Sequence, residues 1–181
     1  PMDVRAIAVT PERSASPVTY AADALTITQI PTAPFEYFKA ASHGAYKHAG
    51  LVYLNAGAVV PNAKSFKSAE EKMGYHFDYT TAFDVTTLNY DSIATSLKAA
   101  GVEYVQYAGA YQYAVKLRSA MYQQHYNPFF AMDSVAYDPG FVALGGEAVA
   151  GTWAFVDSGL FEESARNAEM RTYLSWLARV A

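Results

Sequence analysis

The chain has no cysteine. That excludes disulfides, zinc–thiolate centres and thiol nucleophiles, and leaves the compartment open, since many secreted bacterial proteins also lack cysteine. No apolar run approaches the roughly 20 residues that span a bilayer. The opening PMDVRAIAVTPE lacks the basic start and apolar stretch of a signal peptide, as expected of a mature or trimmed form. Positive charge is scarce: 13 Lys and Arg stand against 17 Asp and Glu. Without clustered cations, a surface that tracks nucleic-acid phosphates is not expected.

Catalytic signatures are missing too. There is no Gly-rich phosphate loop ending in Gly-Lys-Ser/Thr, no G-x-G-x-x-G and no G-x-S-x-G. His43 and His48 are five apart, a poor spacing for two ligands on one helical face, and His76 and His125 stand alone. No cluster of Cys, His and carboxylates supports a metal site. The expectation is no enzyme, no catalytic residue, no metal and no cofactor. Charged runs read as solvated helix faces: Lys67, Glu70, Glu71 and Lys72 in one helix, and Glu162, Glu163, Arg166, Glu169 and Arg171 in another.

What is present is an apolar share of 52% and 15 tyrosines in 181 residues, enough for one domain with a real core. Tyrosine packs like an apolar group and keeps a hydroxyl for hydrogen bonds. Many are expected at sheet–helix interfaces and a few at a ligand.

From Asn89 onward the elements alternate with almost no spare residues. Asn89 to Ala100 reads as an amphipathic helix closed by Gly101, Val102 to Ala108 as a strand, and Tyr111 to Gln124 as a helix. Pro128 to Met132 and Thr152 to Asp157 read as further strands. Upstream, Pro34 starts a helix expected over Phe35 to His48, and Leu51 to Leu54 reads as a central strand. Pro61 opens a helix ending at Gly74, and Tyr75 to Phe83 alternates like a strand nearer an edge. Arg5 to Val9 and Leu25 to Ile30 are strand-like, and Thr10 to Ala24 reads as a linker or irregular crossing. The last helix carries Met170, Tyr173, Leu174 and Leu177 in a stripe. Strands alternating with helices of this length mean parallel strands joined by crossovers. The fold class is therefore α/β: a three-layer, doubly wound, mostly parallel sheet of five or six strands with about as many helices.

Ligands bind such sheets just beyond the carboxyl ends of the strands. Three loops lie there: Asn55 to Val60, Ala108-Gly109-Ala110-Tyr111, and Asp133-Ser134. Small residues admit a ligand close to the backbone, and the helix start at Tyr111 offers free N–H groups. Tyr111 can stack on or hydrogen-bond to a small molecule, and Asp133 can pair with an ammonium group. The plainer alternatives are that Gly109 permits a tight turn, Tyr111 packs on the next helix and Asp133 caps the helix or loop after it.

The stretch NYDSIATSLKAAGVEYVQYAGAYQYAVKLRSAMYQQHYNPFFAMDSV resembles the second lobe of type I periplasmic binding proteins. The group it is most like is the branched-chain amino-acid (leucine/isoleucine/valine-binding) ABC transporter family. Asn89-Tyr90, Leu97-Lys98, Gly101, Tyr107-Ala108-Gly109 and Leu117-Arg118 stand where that pattern wants them, and FVALGGEAVAG looks like its approach to the next strand. The resemblance implies a flavodoxin-like or Rossmann-like lobe at residues 25–181, incomplete at its C-terminus. Residues 1–24 would be the hinge or tail of a first lobe. It implies a periplasmic or extracellular solute-binding protein, with a lipoprotein anchor as one route to the membrane surface. That protein would close on an amino acid or a small aromatic or apolar acid and deliver it to a permease. By position it implies ligand contacts at Ala110, Tyr111 and Asp133, and the strand-end loops add Gly109 and Ser134 beside them. The family's tyrosine after the first strand is missing from Ala58-Val59-Val60-Pro61, which leaves Val59 there and puts branched-chain amino acids in doubt. The alternatives are a ligand-sensing domain of a receptor or regulator, and a small flavodoxin-like enzyme.

Overall fold

The structure, a computed structural model, describes residues 3–5, 15, 19–21, 30–156 and 159–180. Two short strands, β1 (Asp3–Arg5) and β2 (Thr19–Ala21), pair in parallel with each other. After helix α1 (Ala33–Ala41) come β3 (Ala49–Leu54), α2 (Val59–Lys72), β4 (Phe77–Phe83) and α3 (Tyr90–Ala99). They are followed by β5 (Tyr104–Ala108), α4 (Tyr111–Gln123), β6 (Phe129–Met132), α5 (Pro139–Gly145), β7 (Thr152–Ala154) and α6 (Ala168–Val180). The strands from β3 onward form one sheet in the order β4-β3-β5-β6-β7, parallel at every pairing.

This order explains the layers. The chain steps outward from β3 to β4, crosses back over β3 to β5, and continues away through β6 and β7. Right-handed crossovers then put α2 on one face and α3, α4 and α5 on the other. Two buried clusters match. Phe35 and Phe38 of α1 and Ala63 and Phe66 of α2 meet Leu51, Tyr104 and Ala131 on one face. Ala94, Leu97, Ala114, Leu117, Met121 and Phe141 meet Val52, Val105, Phe130 and Met132 on the other. β5 is buried at every position, as a strand covered on both faces must be, whereas β4 alternates and lies at an edge. The sheet's amino end is closed on one face by Tyr104, Phe129 and Trp153, stacked in sequence at 5.3 and 5.2 Å.

Local chemistry sets the element ends. Asn89 accepts a bond from the Ser92 amide at 2.9 Å and starts α3; Gly74 (φ +91°) and Gly101 (φ +71°) turn the chain out of α2 and α3. Gly50 serves packing instead. A Cβ there would lie 2.8 Å from Leu97 Cδ2 and 3.0 Å from Val102 Cγ1, so glycine lets α3 settle on β3. Gly50→Ala is expected to cost about 1–3 kcal/mol by overpacking, read as a lower urea midpoint at unchanged slope. An unmoved midpoint would mean that α3 shifts without penalty.

Several expectations are corrected. The first helix stops at Ala41, not His48, because His43 (φ +51°) and Gly44 (φ +105°) reverse the chain into a short 3-10 turn at Ala45–Lys47. The segment read as a linker over Thr10 to Ala24 contains β2. α2 begins at Val59, two residues before Pro61, which sits harmlessly in the first turn. β3 starts two residues earlier than expected, at Ala49, and β7 ends at Ala154. Residues 6–9, 25–29 and Asp157, also expected in strands, lie outside the described residues.

The largest correction is Glu70. Lys67 and Glu71 do pair on the surface, at 3.2 Å, but Glu70 is fully buried against the sheet. Its Oε1 lies 3.1 Å from the Tyr104 hydroxyl, which is also 3.1 Å from Gln106 Oε1. That hydroxyl has one proton for two acceptors, so a protonated Glu70 supplies the second. Burial pushes the Glu70 pKa well above the ordinary carboxylate range, with repulsion from Glu71 adding to it and the Tyr104 contact opposing it. The pair His48 and His76 is a second meeting hidden in the sequence. Both lie on Asp78, at 3.0 and 3.2 Å, where β3 and β4 begin.

Candidate functional site

All five strands of the main sheet point the same way, so the loops after β3, β4, β5 and β6 gather at one edge. The winding reverses between β3 and β5, where open α/β sheets form their crevice. Around it lie residues 55–58, 84–88, 109–110 and 133–138. They include three aspartates, Asp84, Asp133 and Asp138, and no lysine, arginine or histidine. This edge therefore favours a cationic group and small, polar ligand atoms close to the backbone.

Each expected residue has a definite place. Gly109 adopts φ +152° and leaves no room for a side chain: a Cβ would lie 2.9 Å from the Tyr107 hydroxyl and 3.1 Å from Leu54 Cβ. Ala110 precedes α4 in an extended conformation and has no side chain to cap the helix amides. Tyr111 is half-buried at the first position of α4. Its ring meets Phe141 edge-on at 6.5 Å, and its hydroxyl lies against Gly140, where a Cβ would be 2.5 Å away. Asp133 follows β6 directly and accepts a bond from the Val135 amide at 3.2 Å, starting the short 3-10 turn Ser134–Ala136. Ser134 is exposed beside it. Val59 begins α2, half-buried, and packs against both buried clusters at the end of the sheet.

The structure brings Gly109, Ala110 and Asp133 together around one residue that sequence reasoning missed. The Tyr107 hydroxyl donates to the Ala110 carbonyl at 3.0 Å and so fixes the turn between β5 and α4. Burial, then the nearby Tyr90 hydroxyl and Asp133, hold its proton on far above the ordinary phenol range. Tyr107 stacks between Phe83 and Phe130 at 6.1 and 5.8 Å, which makes it a rigid post under the loop. Asp84 was missed as well. It accepts a bond from Asn55 Nδ2 at 3.1 Å, tying the loop after β4 to the loop after β3. The signal for it was available, because Asp84 directly follows the end of its strand just as Asp133 does. On the far side, Tyr137 bonds Glu162 and accepts from the Phe161 amide, anchoring the segment before α6 to the loop after β6.

A five-stranded parallel sheet wound in this order, with small-residue loops and a strand-end aspartate at its carboxyl edge, is the fold of one lobe of a type I periplasmic binding protein. Solved structures of that class superpose on the chain. A periplasmic binding protein type 1 from Bordetella pertussis matches 83% of the chain with a TM-score of 0.65 and 17% identity, over 42% of its own length. The leucine-, isoleucine-, valine-, threonine- and alanine-binding protein from Brucella ovis, in its closed conformation, matches 83% with a TM-score of 0.68 and 15% identity, over 39% of its length. A leucine-binding protein from Thermotoga maritima matches 94% with a TM-score of 0.68 and 12% identity, over 48% of its length. The chain thus spans less than half the length of each of these three proteins. No protein-family model matches the sequence, and neither does any curated protein. Among the described residues, no helix is long and apolar enough to cross a membrane.

Proposed function

We propose that this chain is the second lobe of an extracytoplasmic solute-binding protein that captures a small organic ligand and hands it to the permease of an ABC importer. One observation carries the reading: the chain with its all-parallel sheet superposes, over 83% and 94% of its length, on less than half of proteins whose names record amino-acid binding. The ligand sits at the carboxyl edge, against Val59, Gly109, Ala110, Tyr111, Asp133 and Ser134. Asp133 takes an ammonium group, in keeping with the three aspartates and the lack of Lys, Arg and His in residues 55–58, 84–88, 109–110 and 133–138. Tyr111 and the small-residue turn beside it take an apolar or aromatic body. Residues 1–24 carry the hinge toward a first lobe, and capture requires closure of both lobes.

Calorimetry on the two-lobed protein, with a panel of amino acids and of aromatic and apolar acids, tests the reading. At least one amino acid is expected to bind, and no heat from any member overturns the proposal. Asp133→Asn keeps an acceptor for the Val135 amide and removes the charge. It is expected to weaken amino-acid binding about tenfold to a hundredfold, the worth of a charge-assisted bond, with little change in melting temperature. Unchanged affinity would show that Asp133 only starts its turn.

A further inference from the structure

At the opposite, amino edge of the sheet there is a cavity of about 450 Å³ lined by Arg118, Tyr122, His125, Tyr126, Asn127, Glu147 and Ala150. Its most unusual member is Arg118, on α4, which is only 3% exposed. The guanidinium packs over Phe130 and donates to the carbonyls of Ala148 (3.0 Å) and Ala150 (2.9 Å) and to Asn127 Oδ1 (3.0 Å). All three acceptors are neutral, and Nη1, itself closed off from solvent, has none. Among the described residues no carboxylate pairs with it; Glu147 shares the cavity, but its Oε2 accepts from the Tyr122 hydroxyl at 3.1 Å. Burial accordingly pushes the Arg118 pKa down, with no anion to raise it again. Buried charges are ordinarily balanced by an opposite charge, and among the described residues none balances this one.

We propose that the cavity is a second ligand site, separate from the carboxyl edge, for a small oxyanion that supplies the counter-charge to Arg118. Tyr122, His125 and the Asn127 amide are the other donors on the cavity wall. Glu147 opposes the anion by its charge and by occupying the Tyr122 hydroxyl. The chemistry fits inorganic phosphate and small carboxylates alike.

The test is thermal unfolding of the chain at fixed ionic strength, titrated separately with sodium phosphate, sodium acetate and sodium chloride. A saturable rise with phosphate or with acetate, and none with chloride, is expected; which of the two acts identifies the source. Glu147→Gln is expected to tighten the anion several-fold, and Tyr122→Phe added to that variant to remove part of the gain. Arg118→Lys keeps the charge but loses the fork, and is expected to weaken binding about tenfold or more. Should that variant fail to fold, the other two still decide. The proposal is overturned by no saturable rise with either anion, by the same rise in a folded Arg118→Lys, or by a Glu147→Gln protein that melts lower and binds no anion. The last result would make Glu147 itself the counter-charge.

Discussion

Glu70→Gln is expected to make the protein more stable at neutral pH and to remove a slope from its pH–stability curve. Burial raises the pKa of this carboxyl in the folded state, whereas in the unfolded chain it ionises near its ordinary value of 4.5. A carboxyl whose folded pKa is raised contributes stability that is complete below the unfolded value. That contribution is lost as pH climbs through the window up to the folded value, because folding must then take up a proton. Within the window the loss is about 1.4 kcal/mol per pH unit. Glutamine has the same shape, can donate to the Tyr104 hydroxyl as the protonated acid does, and has no proton to lose. Urea unfolding at a series of pH values from 4 to 8 checks this at about unit spacing. Wild type should weaken with rising pH relative to the variant. Parallel curves would mean that Glu70 is ionised in the fold and that the proton count at Tyr104 is resolved some other way.

Gly109→Val is expected to disable the carboxyl edge while leaving the rest of the sheet in place. The backbone at φ +152° is one that a β-branched residue resists, and the new side chain would meet the Tyr107 hydroxyl and Leu54 at once. Strain of this kind costs about 1–3 kcal/mol and overpacking a similar amount, which for a chain of this length lowers the melting temperature by about 4–24 °C. The function should suffer more than the stability. The turn carries Ala110 and the start of α4, and Tyr107 can hold it only through its bond to the Ala110 carbonyl. Calorimetry on the two-lobed protein should show ligand binding lost in Gly109→Val and partly kept in Gly109→Ala. A valine variant that melts and binds like wild type would remove the turn from the site.

The legible parts of the sequence were those set by local chemistry. The helix of α3 announced itself through the Asn89 cap, the Ala94 and Leu97 stripe and the closing Gly101, all within thirteen residues of one another. The edge position of β4 showed in its alternation, and the interior place of β3 in its short apolar run. The missed features involve partners far apart in the chain. Helical spacing puts Glu70 on the Ala63 and Phe66 face and Glu71 on the Lys67 face, but nothing nearby shows what covers the first. One faces Tyr104, 34 residues on, and the other faces solvent. His76 looked isolated and His48 was weighed only against His43, because Asp78 lies between His48 and His76 only once β3 and β4 are paired. The carboxyl-edge residues were found by a rule about strand ends. The same rule pointed to Asp84 but not to its tie to Asn55 in the neighbouring loop, and Tyr107 becomes a fixed post only through the rings of Phe83 and Phe130 on either side.

The sequence by itself determined that strands and helices alternate, and hence that the sheet is parallel and has one loop-bearing edge, because periodicity, caps and turn glycines act within a few residues. Only the tertiary structure decided which strands are neighbours, where the winding reverses, and which charged groups lose their water. Desolvation and pairing depend on what the fold lays over a side chain, and the same glutamate or arginine is a solvated surface group or a buried acid or cation according to that alone.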